Sequence, residues 1–366
     1  MATKSNVKEP SFRLGCGRYL QDSGAISLLG EEIRRLGGSR PFIIGGKTAL
    51  SLTEPQIRAS LAAAGITDFS IHTYEGFCCK STCEGIMQDA RFLSADTVVG
   101  VGGGNVMDAA KYCAVLSNKP IINLPTSSAT CAAYTPLSVC YSEIGETVGT
   151  THHKIEVNCV IVDTDILCRQ PLRLLLSGVY DSLAKIYELK QRLIGVSVRD
   201  SDIGLYSSYH LSQFMTDLLY ENLEECCADI RAGRNTKVVS DTVYALIALT
   251  GVISGLARGS NQTAIAHKVY ESLRALYPKI VHDSLHGEMV AIGLIAQIAY
   301  NGDDDAEAFK ARMERYGMPT SLSAIGLPKN DETLNRLYET MCRSSAMAGT
   351  TDEEKARLYT VLHMIQ

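Results

Sequence analysis

Gly100-Val101-Gly102-Gly103-Gly104 closes an apolar run and opens a helical pattern beginning at Asn105. Glycines at such a junction let backbone N–H groups close on an anion, and the helix N-terminus adds a favourable dipole. Phosphate or pyrophosphate is the natural guest. The dinucleotide pattern G-x-G-x-x-G would need glycine at 107, where Met107 stands, and no G-K-[ST] ending is present. A plain tight turn would also account for the glycines. Asp108, read as lying in the first helical turn, is explained by stabilising the helix end.

Eight histidines and twelve cysteines offer coordination chemistry. His282 and His286 stand four apart, a spacing that puts two imidazoles on one helix face, but a metal needs a third ligand. His267 lies in a helical stretch, and Asp181 reads equally well as a helix N-cap. A hydrogen-bonded structural role would serve for each histidine. Cys78, Cys79 and Cys83 cluster without a second group at zinc spacing, so buried or loop thiols are the plain reading.

A chain of 366 residues must position these groups. Its 35 Lys+Arg against 40 Asp+Glu leave a net charge of −5, and 46% of its residues are apolar, an ordinary globular composition. The negative balance, with no long basic run, argues against a nucleic-acid partner. The longest apolar run, 244–257, is broken by Thr250, Gly251, Ser254 and Gly255 and falls short of the ~20 residues that span a bilayer, so no membrane partner is expected. Residues 1–10 are polar and lack a signal-peptide core, which points to the cytoplasm and to thiols rather than disulfides. The length suits two domains, each able to bury a core.

The first half alternates. Residues 40–46, 97–104, 120–124 and 159–162 read as buried strands. Residues 54–64, with Thr53 as N-cap and Pro55 in the first turn, and 105–116 read as helices. Such alternation predicts a parallel sheet covered on both faces. Beyond Thr164 helical patterns dominate: 177–193, 204–232, 237–256, 262–276, 287–300 and 331–342. The expected organisation is an α/β domain over 1–164 and an all-α domain over 165–366. Ligands should sit in the cleft between them, beside the carboxyl ends of the strands.

Several segments, in this order and spacing, resemble the iron-containing alcohol dehydrogenase superfamily in its glycerol dehydrogenase branch. They are Gly102-Gly103-Gly104-Asn105-Val106-Met107-Asp108, Pro125-Thr126-Ser127-Ser128-Ala129-Thr130, Leu137-Ser138-Val139-Cys140-Tyr141, Val162-Asp163-Thr164, Asp181-Ser182-Leu183-Ala184-Lys185, Ala266-His267 and His286-Gly287-Glu288. The resemblance implies an N-terminal dinucleotide-binding α/β domain and a C-terminal all-α domain, a fold shared with dehydroquinate synthase. Carried over residue by residue, the family's metal triad falls on Asp181, His267 and His286, which makes His282 a neighbour. Gly102, Gly103, Gly104, Asn105 and Val106 would hold the pyrophosphate. Thr126, Ala129, Thr135, Leu137 and Tyr141 match positions that line the cofactor. The implied chemistry is direct hydride transfer to or from NAD(P), with one divalent ion, zinc or iron, polarising the substrate oxygen. Small-molecule substrates and a homo-oligomeric state are expected.

Three positions depart from the family pattern. Asn105 stands where lysine or serine is usual. Gly46, followed by Lys47, replaces the acidic residue that holds the adenosine ribose. Cys131 replaces the aspartate that contacts glycerol, and the stretch around it is more similar to a hydroxycarboxylate dehydrogenase subgroup. A 2-hydroxy or 2-oxo acid is therefore the expected substrate, since an acid at 131 would repel its carboxylate. Glycerol or a vicinal diol is the alternative within the family. A dehydroquinate synthase-like lyase is the alternative of another class, weakened because Asp181 stands where that group carries Glu. Arg258 and Lys268 are the cations considered for a substrate carboxylate.

Overall fold

The computed structural model describes residues 14–200, 202–258, 262–302 and 305–366. The segment 1–10, read above for a targeting signal, lies outside the described residues. Eight strands occur among them: β1 (Tyr19–Asp22), β2 (Pro41–Gly46), β3 (Ser70–Tyr74), β4 (Thr97–Gly102), β5 (Ile121–Pro125), β6 (Leu137–Tyr141), β7 (Thr147–His152) and β8 (Cys159–Asp163). Six form a parallel sheet in the order β1-β8-β5-β4-β2-β3, while β6 and β7 pair as a separate antiparallel hairpin.

Side chains alternate across the sheet as the two-residue period requires. Ile43, Val99, Val101, Ile122 and Ile161 face α1 (Leu29–Arg35) and α2 (Lys47–Ala63). Phe42, Ile44, Val98 and Val160 face the other way. They meet α3 (Lys80–Met87), α4 (Ala90–Ser94) and α5 (Gly104–Leu116). Helix α2 begins earlier than the sequence suggests. Gly46 occupies its N-cap, whereas Thr53 is interior, its hydroxyl donating to the Ala49 carbonyl at 2.8 Å.

After Asp163 the chain is helical: α6 (Thr164–Leu167), α7 (Leu172–Arg192), α8 (Ile203–Ala232), α9 (Lys237–Tyr244), α10 (Thr250–Leu256), α11 (Ile265–Leu276), α12 (His286–Asn301), α13 (Ala306–Arg315), α14 (Asp331–Cys342) and α15 (Asp352–Leu362). A π-helical turn, Ala245–Leu249, joins α9 to α10. The resulting 20-residue stretch, Lys237–Leu256, is long and apolar enough to cross a bilayer, contrary to the expectation above, but it packs inside the protein. The cluster under α1 and α2 belongs to the first half alone, whereas the other face of the sheet shares its core with the helical half. One continuous apolar cluster runs from Phe42 and Ile44 through α5 and the hairpin into α7, α8, α11 and α12, ending at Ile365. All twelve cysteines are free thiols, with Cys78, Cys79 and Cys83 buried.

Candidate active-site cleft

The order of strands reverses between β2 and β4, so their carboxyl ends open onto a crevice, the usual ligand position in such sheets. A cleft of about 1360 Å³ occupies it and reaches the helical half. Gly46 and Gly102 stand on its two sides. Gly102 has φ +153, a conformation side chains rarely adopt, and this turns the chain into α5. A Cβ at Gly104 would come within 3.0 Å of the Thr130 hydroxyl, and one at Gly103 within 3.3 Å of the Ser127 hydroxyl. The glycines thus form a cradle under the 126–130 turn, and the first N–H groups of α5 face it without helical partners. Such a cradle fits a dinucleotide pyrophosphate. Asn105, Thr126, Ala129, Thr135, Leu137 and Tyr141 line the same cleft. Val106 does not: its side chain packs beneath Gly102 and Gly46, 3.1 Å and 3.6 Å from where their Cβ atoms would be.

Asp108 is not a helix-end residue. It is buried and paired with Lys111, Nζ to Oδ1 2.9 Å, while its Oδ2 accepts the Val139 N–H at 3.1 Å. Lys111 Nζ also donates to the carbonyls of Ala132 (2.6 Å), Thr135 (2.9 Å) and Leu137. Burial pushes the Asp108 carboxyl upward, and the Lys111 charge offsets only part of that. Together the pair ties α5, whose start forms the cradle, to the 131–139 loop and the hairpin.

Three helices converge at the other end of the cleft. Asp181 lies in the middle of α7, so it is not an N-cap. His267 stands in the first turn of α11, and His286 is the first residue of α12. His286 Nε2 is 3.2 Å and His267 Nε2 3.3 Å from Asp181 Oδ1, and one donor atom from each residue lies within 4.8 Å of the others. Helix α12 can approach α7 this closely because residue 287 is glycine; a Cβ there would sit 1.9 Å from the Ser177 carbonyl. Burial would raise the Asp181 carboxyl, but the His286 charge, hydrogen bonds to both histidines and the Lys185 charge hold it well below the carboxylate range.

A carboxylate with two imidazoles is a donor set that suits zinc or iron, and three protein ligands leave a position for substrate. Glu188 orients the set. Its Oε2 lies 2.6 Å from His267 Nδ1, and its Oε1 accepts the N–H groups of Ala264 and His267 at 2.8 and 2.9 Å. That bond holds the Nδ1 proton, so that on loss of the Nε2 proton the ring would offer its Nε2 lone pair to an ion at the triad. Sequence reasoning missed Glu188, although its position seven residues after Asp181 puts it on the same helix face. His282 has an exposed side chain and bonds to Asp283 at 2.8 Å, outside the triad. It precedes α12, so the four-residue spacing to His286 is not a helical one. Arg258 pairs with Asp202 and Lys268 with Glu271, so neither cation is free for a substrate. Cys131 is half-buried in the cleft, and burial, together with the Asp181 charge, pushes its thiol up to about 11.

A family model described as iron-containing alcohol dehydrogenase matches residues 16–164. A glycolaldehyde reductase of Halobacterium salinarum is 30% identical over 88% of this chain and 88% of its own. A glycerol dehydrogenase of Thermotoga maritima is 30% identical over 89% and 88%, respectively. Hydroxycarboxylate dehydrogenase A of Escherichia coli is 30% identical over 87% and 86%. The fold matches the crystal structure of glycerol dehydrogenase from Schizosaccharomyces pombe with a TM-score of 0.82 at 22% identity, covering 98% of this chain and 92% of that one.

Proposed function

Since the chain belongs to the iron-containing alcohol dehydrogenase family, we propose that it interconverts a small 2-hydroxy acid and the corresponding 2-oxo acid. Like that family, it is a metal-dependent dehydrogenase acting on CH–OH groups. The observation that carries the reading is the meeting of Asp181, His267 and His286 in the same cleft as the glycine cradle, with Cys131 also lining it.

In this reading Asp181, His267 and His286 hold one divalent ion, zinc or iron. The Gly102–Asn105 backbone carries the pyrophosphate of NAD(P). When bound, the ion supplies Lewis acidity to the substrate oxygen, and the nicotinamide supplies or accepts the hydride. The protein's own part is positional. Glu188 keeps the His267 ring turned so that Nε2 faces the triad. The Asp108–Lys111 pair holds the 131–139 loop against the helix that begins at the cradle. Both reactants are thereby fixed by packed elements of one core.

Cys131 supports an anionic substrate. A protonated thiol accepts hydrogen bonds weakly, so a polyol hydroxyl gains little there, and no negative charge opposes a carboxylate. We expect an anaerobic screen to find measurable reduction of 2-oxo acids and poor oxidation of glycerol. Cys131→Asp should lower kcat/KM for the 2-oxo acid by about 10- to 100-fold, in line with ~1–3 kcal/mol for an opposed or missing partner. Glycerol oxidation should stay unchanged or improve. Efficient glycerol oxidation with no 2-oxo acid turnover would reverse the assignment.

Gly46 bears on the choice of nicotinamide. It ends β2 at the cleft and caps α2, where an acidic side chain would repel a 2′-phosphate. NADPH is expected to serve at least as well as NADH. Gly46→Asp is sterically open, because a Cβ there meets nothing closer than Val106 Cγ2 at 3.6 Å, and Asp suits an N-cap. The variant should move the preference toward NADH, read as the ratio of kcat/KM for the two cofactors. A strong native preference for NADH would contradict this role for Gly46.

A further inference from the structure

We infer that the Lys185 ammonium receives the substrate carboxylate and so selects 2-oxo acids over uncharged carbonyl compounds. This assignment rests on the proposed function and names the cation that the function requires. Asp181, Lys185 and Glu188 stand at i, i+4 and i+7 on α7 and share one face of that helix. The two carboxylates are occupied: Asp181 by both imidazoles, Glu188 by His267 and two backbone N–H groups. Lys185 lies between them, is 4% exposed and lines the cleft with Cys131 and His267. Among the described residues it forms no hydrogen bond or ion pair. One helical turn from Asp181 it stands beside the triad, and its charge acts on Asp181, Glu188, His267 and Cys131.

The ammonium opens on the cleft without a protein acceptor, and an anion arriving there would supply one. The charges agree. With a divalent ion held at the triad, the ion and Lys185 exceed Asp181 and Glu188 by one positive charge, which a single carboxylate neutralises. Other cations of the cleft fit less well. Arg274 stands two helical turns from His267, roughly 10 Å along α11. Its Nη2 donates to the Ser284 carbonyl at 2.9 Å and its guanidinium lies over Phe77, while Nε and Nη1 are buried without partners, so it is its distance that sets it aside. The carboxylate of a 2-oxo acid is one bond from the reacting carbon, so its cation must stand next to the triad.

The test compares metal-loaded wild type, Lys185→Met and Lys185→Arg. Two ketones are reduced at the same carbon, 2-oxobutyrate and 1-hydroxy-2-butanone, which differ in carboxylate against hydroxymethyl. Binding of oxamate, an unreactive 2-oxo acid analogue, is measured by calorimetry beside its neutral counterpart oxamide. Metal content and thermal melting are recorded for each protein. Lys185→Met is expected to keep its metal and fold and to lose about 10- to 100-fold in kcat/KM for 2-oxobutyrate, as for a lost charge-assisted hydrogen bond. It should change less than about threefold for the hydroxyketone and lose oxamate binding in parallel. Lys185→Arg should restore much of both. Equal losses on the two ketones, or oxamate binding undiminished in Lys185→Met, would overturn the assignment. Should Lys185→Met fold poorly, the Lys185→Arg comparison decides: oxamate affinity lost despite a retained cation and native melting counts against it. A wild type that binds oxamate through Lys185 but reduces no 2-oxo acid would reject the proposed reaction and leave the anion site standing.

Discussion

Asp181→Ala and His267→Ala are expected to leave purification without bound metal and with turnover reduced by at least about 10³-fold, whereas His282→Ala keeps both. The expectation follows from the convergence of three donors from α7, α11 and α12 on one point. Removing one leaves a pair that cannot fix an ion with an open position. His282 contributes nothing to that point, since it bonds to Asp283 in front of α12. Glu188→Gln belongs to the same experiment. It retains the side-chain shape but loses the charge that orients His267, so metal affinity should fall by about 10- to 100-fold. Elemental analysis of the purified proteins, with titration of the stripped forms, checks all four variants. A metal-replete, fully active His267→Ala protein would refute the ligand assignment.

Lys111→Met should cost about 3–5 kcal/mol of stability, the usual effect of removing one partner from a buried ion pair. The loss has two sources. Asp108 would be left as a buried carboxylate without its cation, and the carbonyls of Ala132, Thr135 and Leu137 would lose a common donor. Because those carbonyls belong to the loop lining the cleft, cofactor affinity should fall with stability. Adding Asp108→Asn to Lys111→Met should recover part of the stability, since no charge is then stranded, but little of the loop's order. Denaturant unfolding and NAD(P) titration of the single and double variants measure the two effects. A single variant as stable as the parent would show that the pair does not hold the loop.

The strands that could be read in the sequence are β2, β4, β5 and β8. They lie inside the sheet, are covered on both faces and therefore appear as unbroken apolar runs. The edge strands β1 and β3 are half-exposed, and the hairpin β6–β7 faces the cleft, so none carries such a run. Helix α2 was legible only from Glu54 because its first turns carry Ser and Thr and no acidic N-terminal signal. At the site, spacing alone favoured His282 with His286, and only the family pattern separated them. Asp181 and Asp108 both resembled helix-end residues, because a carboxylate stabilises a helix start and a buried ion equally plausibly in one dimension. Their partners lie 105 residues away in the case of His286 and on the next helical turn in the case of Lys111. Glu188 and Lys185 acquire meaning only once Asp181 is known to sit mid-helix.

The apolar cluster that joins the sheet to the helical half also limits how a guest can reach the cleft. Swinging the halves apart as two jaws would pull Phe42, Ile44 and α5 away from α7 and α8 and wet a large part of the interior. The rim of the cleft includes Lys47, Leu52 and the β7 segment Val148–Gly149, and Leu52 and Val148 meet solvent there. It is the flank of the hairpin along β7, not its tip at 142–146, that borders the cleft. A change of side chain at Leu52 or Val148 would therefore alter the width of the opening without touching any residue of the triad.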